Sequence, residues 1–250
     1  MTTPTDDEVL SRLRATLTDA ADEDLRATSG RVFKEEIRPY GIRVATVRSI
    51  ATRALADLGP VDLDRLWRLC DDMWASGWLE ESFVACYWAA AQAKRFRPSE
   101  VEVFGRWLGT GVSNWASCDA LCTDSIGRLL LRYPQVAPTV VSWASSSNRW
   151  LRRGAAVSFI RPARKGEFLD TVFQVAETLL TDQDDLVRKG YGWLLKAARR
   201  PHPDQVYDYL LARRDVMPRV AFRYALEHYD RERRDAAMGR ATGRSATTAP

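Results

Sequence analysis

Four short fragments of this chain resemble one another, and their spacing constrains the fold more than any other feature of the sequence. Each fragment has a polar or charged pair, then a small residue, then apolar residues. Aligning them at intervals of 38, 34 and 36 residues makes four positions equivalent: Glu81, Asp119, Arg153 and Lys189. Helical repeats of this length stack side by side into a curved solenoid. The second helices of such repeats line the concave face, so we expect the four residues to form a column along it.

Apolar residues recur at every third or fourth position along almost the entire chain, which is the spacing of amphipathic helices. Glycine and proline interrupt this spacing where helices should end, at Gly59-Pro60, Pro98, Pro134, Pro162, Pro201 and Pro218. No sustained alternation or Asn-Gly turn indicates a strand or a hairpin. The segment Asp185–Arg188 has the Asp-x-Val-Arg pattern typical of HEAT repeats. We therefore predict an all-α fold, a HEAT-like helical-repeat solenoid with a concave basic face.

The repeats are expected to form one domain from residue 7 to residue 233. A chain of 250 residues, 46% of them apolar, is long enough to bury a sizeable core. Residues 1–6 are polar, and residues 234–250 are poor in bulky apolar side chains. We expect a flexible N-terminus and a disordered tail at these two ends.

No segment predicts a membrane span or a secretory signal. The longest apolar runs fall short of the roughly 18 residues that a span needs, and the polar start lacks the basic and apolar regions of a signal peptide. A location in a bacterial-type cytosol or nucleoid is the expectation. Cys118 and Cys122 lie four residues apart with no histidine nearby, so we expect buried thiols and no metal site.

The usual catalytic and cofactor motifs are absent from the sequence. It contains no glycine-rich phosphate loop, no HExxH and no GxSxG. The two histidines, His202 and His228, have no nucleophile near them in the sequence, which argues against a histidine-dependent hydrolase. We expect no cofactor.

The distribution of charge is compatible with a polyanionic partner. The net charge is only +4, but the isoelectric point is about 9.0. Acidic residues crowd the N-terminal part, whereas arginine and lysine are denser after Arg149. Nine tryptophans accompany these cations, and aromatic and cationic side chains act together at nucleic-acid surfaces.

Asp119 is the first candidate for chemistry. It lies four residues after Trp115, so the carboxylate and the indole share one face of a helix. Its other neighbours are small or apolar, which leaves two interpretations open, a buried structural acid or a working one. Arg153 follows one repeat later in the same column. Because Arg152 and Arg153 are adjacent, only one of them is expected to face the concavity.

Trp193 is the second aromatic candidate. It follows Gly190 and Gly192, and glycine inside a helix costs up to about 1 kcal/mol relative to alanine, so close helix packing or a flat binding shelf is implied. Core packing and ligand contact both remain open for this indole. Further cations continue the basic surface, with phosphate contact as their functional interpretation: Arg149, Arg188, Lys189, Arg219 and Arg223.

Five elements in register give the chain a resemblance to a known family. They are Phe33–Ile37 with Tyr40-Gly41-Ile42 and Val47-Arg48; Trp115-x-x-x-Asp119; Trp150-x-Arg152-Arg153; Arg188–Trp193; and Met217-Pro218-Arg219 running to Ala225. Together they cover roughly residues 30–230. The chain resembles the AlkD-like glycosylases of the DNA alkylation repair family.

The resemblance implies a HEAT-like solenoid that acts as a monomer on double-stranded DNA and, in base excision repair, removes purines alkylated at N3 or N7. Such bases are cationic, and the family releases them without flipping them into a pocket. The resemblance implies that Asp119 is the catalytic carboxylate, that Trp115 and Trp193 face the base and the sugar, and that Arg153 contacts DNA, with Arg152 as the alternative. Some members have a tyrosine where this chain has Val32, which implies a narrower substrate range.

Two other functions compete with a glycosylase. A DNA-binding HEAT protein without catalytic activity would bind DNA tightly and in a salt-sensitive way, but would release no base. A protein-binding adaptor would hold a peptide on its concave face and would have no affinity for DNA. The enzyme is favoured because an adaptor has no need for a carboxylate in an otherwise cationic column.

Overall fold

The computed structural model describes residues 4–239, which form an array of antiparallel α-helices. The α-helices in chain order are α1 (Asp6–Asp19), α2 (Glu23–Ser29), α3 (Val44–Leu58), α4 (Leu63–Ala75), α5 (Leu79–Ala91), α6 (Glu100–Thr110), α7 (Trp115–Ala120), α8 (Gly127–Arg132), α9 (Ala137–Ser142), α10 (Arg149–Ser158), α11 (Ile160–Ala163), α12 (Leu169–Thr178), α13 (Asp185–Arg199), α14 (Pro203–Arg213), α15 (Arg219–Leu226) and α16 (Arg231–Ala237). Short 3₁₀ turns cover Gly30–Val32, Ala93–Arg95, Pro134–Val136 and Trp143–Ser145. Residues 4–239 contain no β-strand, so the all-α prediction is confirmed.

Successive inner helices pack against one another. Helix α5 contacts α7, α7 contacts α10, α10 contacts α13, and α13 contacts α15. A second layer flanks them, with α3 and α4 on α5, α6 on α10, and α12 and α14 on α13. The apolar faces of both layers meet in one continuous core that runs the length of the array. This two-layer stacking is what the repeat spacing predicts.

Short polar side chains begin three of the inner helices. Asn114 accepts a hydrogen bond from Ser117 N (2.9 Å), Asn148 from Trp150 N (2.8 Å), and Asp184 from Leu186 N (2.8 Å). Each satisfies a backbone donor that the first helical turn leaves free. These three caps fix the residue at which each of the inner helices α7, α10 and α13 begins.

The helix that begins at Trp115 changes pitch directly after α7. Residues Leu121–Ile126 form a π-helical turn between α7 and α8, where the apolar spacing predicts one regular helix. Thr123 Oγ1 donates to the carbonyl of Asp119 (2.8 Å) at this turn. Such turns are rare and occur mostly inside α-helices, frequently at functional sites.

Residues 33–42 form a segment that we call the strap, which crosses the N-terminal ends of four inner helices. Its contacts are Phe33 with Trp115, Lys34 with Asp185, Glu35 with Arg149, and Arg38 with Trp78. The strap therefore reaches repeats that are far apart in the sequence.

Two buried carboxylates of α5 hold the end of the strap. Glu80 accepts hydrogen bonds from the backbone N–H groups of Tyr40, Gly41 and Ile42, at 2.8 to 3.0 Å. Glu81 accepts the hydroxyl of Tyr40 at 2.9 Å. Gly41 has a φ of +90°, and a Cβ there would lie 2.3 Å from the backbone oxygen of Asp22, the residue that caps α2, so only glycine fits this turn.

The two ends differ from the sequence prediction where the structure describes them. Helix α1 begins at Asp6 behind a capping box of Thr5 and Glu8, inside the predicted flexible N-terminus. Helix α16 extends to Ala237, four residues beyond the predicted end of the domain, because Asp230 caps it and Ala237 is buried. Residues 1–3 and 240–250, on which the rest of these two predictions falls, lie outside the described residues.

The four cysteines are buried and free, and they include Cys118 and Cys122, whose thiols were predicted to be buried. Within residues 4–239, no group of three or more His, Cys, Asp or Glu side chains is arranged to hold a metal ion. In the same part of the chain, no helix combines the length and the apolar character required to cross a bilayer.

Candidate active site

A bidentate ion pair between α7 and α10 lies at the centre of the site. Arg153 Nε donates to Asp119 Oδ1 at 2.9 Å, and Arg153 Nη2 donates to Asp119 Oδ2 at 2.8 Å. The side chain of Arg153 is 6% exposed and that of Asp119 is 16% exposed. Such parallel bonds fix the plane of the carboxylate as well as its distance.

Residues of helix α13 also contact Arg153. Its Nη1 donates to the carbonyl of Leu186, in the first turn of that helix. One turn later, a Cβ at Gly190 would lie 3.4 Å from Arg153 Cγ and 3.5 Å from Nη1. A Cβ at Gly190 would therefore be in ordinary van der Waals contact with the arginine. The close approach is at Gly192, where a Cβ would lie 2.8 Å from the backbone oxygen of Ala221 in α15. This is close helix packing, one of the two interpretations that the glycines before Trp193 left open.

Asp119 opens into a cleft of about 450 Å³ on the inner face of the array. Trp115, Asp119, Arg153, Lys189 and Trp193 all line this cleft, so the structure brings together five of the residues that the sequence singled out. The other lining residues are Val32, Lys34, Glu35, Leu186, Lys196 and Tyr224.

The fourth member of the predicted column lies elsewhere. Glu81 is fully buried and is bonded to Arg14 (3.1 Å) and to the Tyr40 hydroxyl (2.9 Å). It does not line the cleft. The repeat alignment is therefore reflected in a shared cleft for three of its four positions, and the first position anchors the strap instead.

Three aromatic side chains line the cleft together with Asp119, namely Trp115, Trp193 and Tyr224. Phe33 of the strap stacks on Trp115, with ring centroids 5.5 Å apart and an interplanar angle of 27°. Trp193 belongs to α13, and the ring of Tyr224 in α15 faces the ammonium of Lys196, which is 5.2 Å from the ring centroid. The two indoles thus line one cavity with the carboxylate.

The pKa of Asp119 reflects two opposing influences. Burial raises the pKa of the carboxyl above its ordinary value of 3.8, because the charged form loses hydration. The guanidinium of Arg153 acts in the opposite direction, through its charge and its two hydrogen bonds. The result is an acid whose ionised form depends on one specific partner.

Three of the arginines predicted to contact DNA are engaged within the protein. Arg152 bonds to Asp182 (2.6 Å) and to two carbonyl oxygens before α10, so Arg153, not Arg152, lines the cleft. Arg149 lies between Glu35 (3.2 Å) and Asp184 (3.0 Å). Arg188 bonds to the loop before α13.

Four other cations are exposed outside the lining of the cleft, and Lys189 within the lining is partly buried. Arg219 and Arg223 of α15 are exposed, as their predicted role requires, and Lys189 pairs with Asp185 at 2.8 Å. Arg164 and Lys165, which the sequence analysis did not select, are exposed beside a smaller cavity that Trp193 also lines. Their position after a proline-containing helix gave no periodic signal.

Four functional candidates in the cleft were not predicted from the sequence, namely Lys34, Glu35, Lys196 and Tyr224. Glu35 lies within an element that carried the family resemblance, but nothing in the spacing connected it with Arg149, 114 residues later. The strap that brings them together has no regular period. The proximity of Glu35 and Arg149 could therefore not be predicted from the sequence.

Comparisons with known proteins identify the family and the fold. A family model described as DNA alkylation repair enzyme matches residues 13–229. No curated protein sequence matches the chain. A solved structure described as a predicted DNA alkylation repair enzyme from Enterococcus faecalis superposes with a TM-score of 0.76 at 18% identity, covering 84% of this chain and 97% of that one. The structure of smu.31 from Streptococcus mutans UA159 superposes with a TM-score of 0.56 at 20% identity, covering 75% and 98%. Both likenesses establish a shared fold.

Proposed function

Because the chain belongs to the DNA alkylation repair enzyme family, we propose that it is a DNA glycosylase that hydrolyses the N-glycosidic bond of cationic N3- and N7-alkylated purines in duplex DNA. One observation carries this proposal. The Asp119 carboxylate opens into a cleft that Trp115 and Trp193 also line. A carboxylate and two indole faces are suited to a substrate that is positively charged and becomes more so at the sugar.

The reaction requires only a modest rate acceleration from the protein, because an alkylated purine is already a good leaving group. As the bond from C1′ to the base nitrogen breaks, the bonding electrons leave with the base, which becomes neutral, and positive charge develops on the sugar. Asp119 stabilises that charge in a water-poor site. A water molecule then forms the new bond to C1′, and its proton passes to the carboxylate or to solvent.

The indoles bind the cation before and during this step. The negative face of a tryptophan ring attracts a cation by about 0.5 to 2 kcal/mol. Trp115 is held by the stacked ring of Phe33, so its orientation is fixed before the substrate arrives. We infer that Trp115 and Trp193 hold the lesion and the deoxyribose next to Asp119.

In this proposal the buried side chain of Arg153 positions the carboxylate of Asp119. Its two bonds to Asp119 hold the carboxylate ionised and in a fixed plane. Its outer nitrogens each retain one N–H for a phosphate or a sugar oxygen at the cleft. The partly buried Lys189 and the exposed Arg219 and Arg223 supply further phosphate contacts, which position DNA without reading its sequence.

One observation favours a second function, DNA binding without base release. Both carboxylate oxygens of Asp119 already accept hydrogen bonds from Arg153, as in a structural ion pair. A protein with this pair and the same cations would bind DNA and leave the glycosidic bond intact.

A base-release assay separates the two functions. Duplex DNA treated with a methylating agent is incubated with the protein, and free 3-methyladenine and 7-methylguanine are measured by chromatography. We expect release by the wild type and a loss of at least about 100-fold in Asp119→Asn, as when a preorganised charge-stabilising group is removed. Asp64→Asn is the matched control, because Asp64 also pairs with an arginine, Arg97 at 2.9 Å, but lies outside the cleft.

The outcomes are distinct. Binding of methylated DNA without release would establish the second function. Release by Asp119→Asn at the wild-type rate would remove Asp119 from the mechanism.

A further inference from the structure

A second carboxylate lines the cleft and is only partly neutralised by the protein. Glu35 of the strap is 11% exposed. Its Oε1 accepts a hydrogen bond from Arg149 Nη2 at 3.2 Å. Its Oε2 is shielded from solvent and accepts no hydrogen bond from any residue between 4 and 239. A buried carboxylate oxygen without a partner is costly and calls for an explanation.

The partner of Glu35 is shared. The guanidinium of Arg149 also lies 3.0 Å from Asp184, so one cation serves two carboxylates. Asp119, by contrast, has the guanidinium of Arg153 to itself within the cleft. The Glu35 side of the cleft therefore carries an excess negative charge.

An excess of positive charge lies next to this negatively charged side of the cleft. Lys34 and Lys189 share a single carboxylate, that of Asp185, at 3.9 and 2.8 Å. The cleft thus has a negative pole at Glu35 and a positive pole at these two lysines. A nucleotide that has a cationic base and an anionic phosphate has the complementary pattern of charge.

Fastening the strap does not explain Glu35. Strap residues are already held by Glu80, which accepts three backbone N–H groups, and by Glu81, which accepts the hydroxyl of Tyr40. Both are fully bonded and lie away from the cleft. Glu35 differs from them on both counts, since it faces the cleft and has an oxygen without a donor.

We propose that Glu35 is a specificity-determining residue whose uncompensated charge selects a positively charged base over a neutral base of the same shape. The inference rests on the proposed function, which supplies the class of substrate. It adds an acidic residue that acts by attracting the cation into the cleft, whereas Asp119 acts on the sugar. In the orientation that the two poles favour, the base lies toward Glu35 and a phosphate toward Lys34 and Lys189.

A binding experiment isolates the charge. Two duplexes are compared, one with 7-methylguanine, which is cationic, and one with 7-methyl-7-deazaguanine, which has the same shape and no charge. A 2′-fluorine on the sugar of each slows hydrolysis, and affinity is measured by fluorescence anisotropy. Glu35→Gln keeps an oxygen that can accept from Arg149 and removes the charge. Glu36→Gln is the control, because Glu36 is the exposed next residue of the strap and does not line the cleft.

We expect the wild type to prefer the cationic duplex by more than tenfold, with about tenfold due to Glu35, the size of effect that one partly buried charge exerts, and the rest due to the indoles. Glu35→Gln should lose about tenfold in affinity for the cationic duplex and retain its affinity for the neutral one, whereas Glu36→Gln should alter neither by more than about twofold. Thermal unfolding of each variant verifies that it is folded.

Three results would overturn the inference: no preference in the wild type, an unchanged preference in Glu35→Gln, or an equal loss for both duplexes, which a structural role would give. The measurement does not depend on base release. The binding experiment therefore still tests the role of Glu35 if the protein releases no base. A negative result for Glu35 would likewise leave the proposed role of Asp119 unaffected.

Discussion

Glu81 and Asp119 hold equivalent places in successive repeats, yet the two regions differ in every respect that matters for chemistry. Each carboxylate is bonded by an arginine from another helix, Arg14 in one case and Arg153 in the other. Each follows a tryptophan by one helical turn, Trp78 or Trp115. The shared pattern shows that neither an arginine partner nor a nearby indole makes an acid functional.

The two regions differ in how accessible the carboxylate is from the cleft and in how completely the neighbouring indole is covered by other side chains. Glu81 is fully buried, and Trp78 is covered by Tyr40 at 4.1 Å on one side and by Arg38 at 4.0 Å. Asp119 opens into the cleft, and Trp115 is stacked on Phe33 but still lines that cavity. The first region is a structural anchor, and the second has the geometry of a site.

The largest effect that this contrast predicts is on stability, at Glu81. Glu81→Ala leaves the guanidinium of Arg14 and the hydroxyl of Tyr40 without their partner, and should lower the free energy of unfolding by about 2 to 3 kcal/mol, since Arg14 is partly exposed and can be hydrated. Urea denaturation measures it. The rate of base release per folded molecule should stay within about twofold of the wild type, because Glu81 does not line the cleft and Glu80 still holds the strap through three backbone N–H groups. A variant that is as stable as the wild type would contradict the anchoring role.

At the Asp119 region the corresponding test removes the arginine of the ion pair. Arg153→Met should reduce the rate of 7-methylguanine release by about 30- to 100-fold at neutral pH. Burial then acts unopposed on Asp119, so its pKa rises further and less carboxylate is present. The rate of this variant should recover partly as the pH increases, which single-turnover assays at several pH values test.

Arg14→Met is the matched control for Arg153→Met. It removes the arginine from the Glu81 pair, so it should reduce stability and leave the single-turnover rate near that of the wild type. Equal rate losses in the two variants would show that the two ion pairs do not differ as proposed.

The two indoles should differ by about tenfold in rate. Trp115→Ala removes a ring that faces the substrate, and a cation-π contact of about 0.5 to 2 kcal/mol corresponds to roughly a tenfold change. Trp78→Ala removes a ring that is covered, so it should affect the melting temperature and not the release rate. The opposite assignment of effects would refute the division into anchor and site.

The smallest effect is on the acid limb of the pH profile. Since burial raises the pKa of Asp119 above its ordinary 3.8, the working carboxylate is lost as the pH falls through that raised value. Release by the wild type should therefore decline at a higher pH than an ordinary aspartate would give. Single-turnover rates between about pH 4 and pH 8, corrected for release without protein, measure it. An acid limb centred below the ordinary pKa would contradict the effect of burial.

Much of the fold follows from local signals in the sequence. Apolar spacing, prolines at helix ends and the capping side chains Asn114, Asn148 and Asp184 are all local, and each has its expected place in the structure. The column of Asp119, Arg153 and Lys189 also follows, because equal helices stacked at equal intervals bring equivalent residues together.

What could not be predicted depends on segments without a period. The strap has neither helical nor strand spacing, so its crossing of four helices and the position of Glu35 were invisible in the sequence. Likewise, the sequence left open whether Arg152 or Arg153 faces inward, and the structure answers this through Asp182, which binds Arg152. The π-helical turn after Asp119 changes the pitch without interrupting the apolar pattern.

The strap also changes how the array should come apart. Solenoid repeats that touch only their neighbours can fray from one end while the rest persists. Here residues 33–38 contact the starts of α5, α7, α10 and α13, so early and late repeats are tied through one segment. Loosening either end withdraws contacts from the middle, and the protein should melt in a single cooperative transition, not unit by unit.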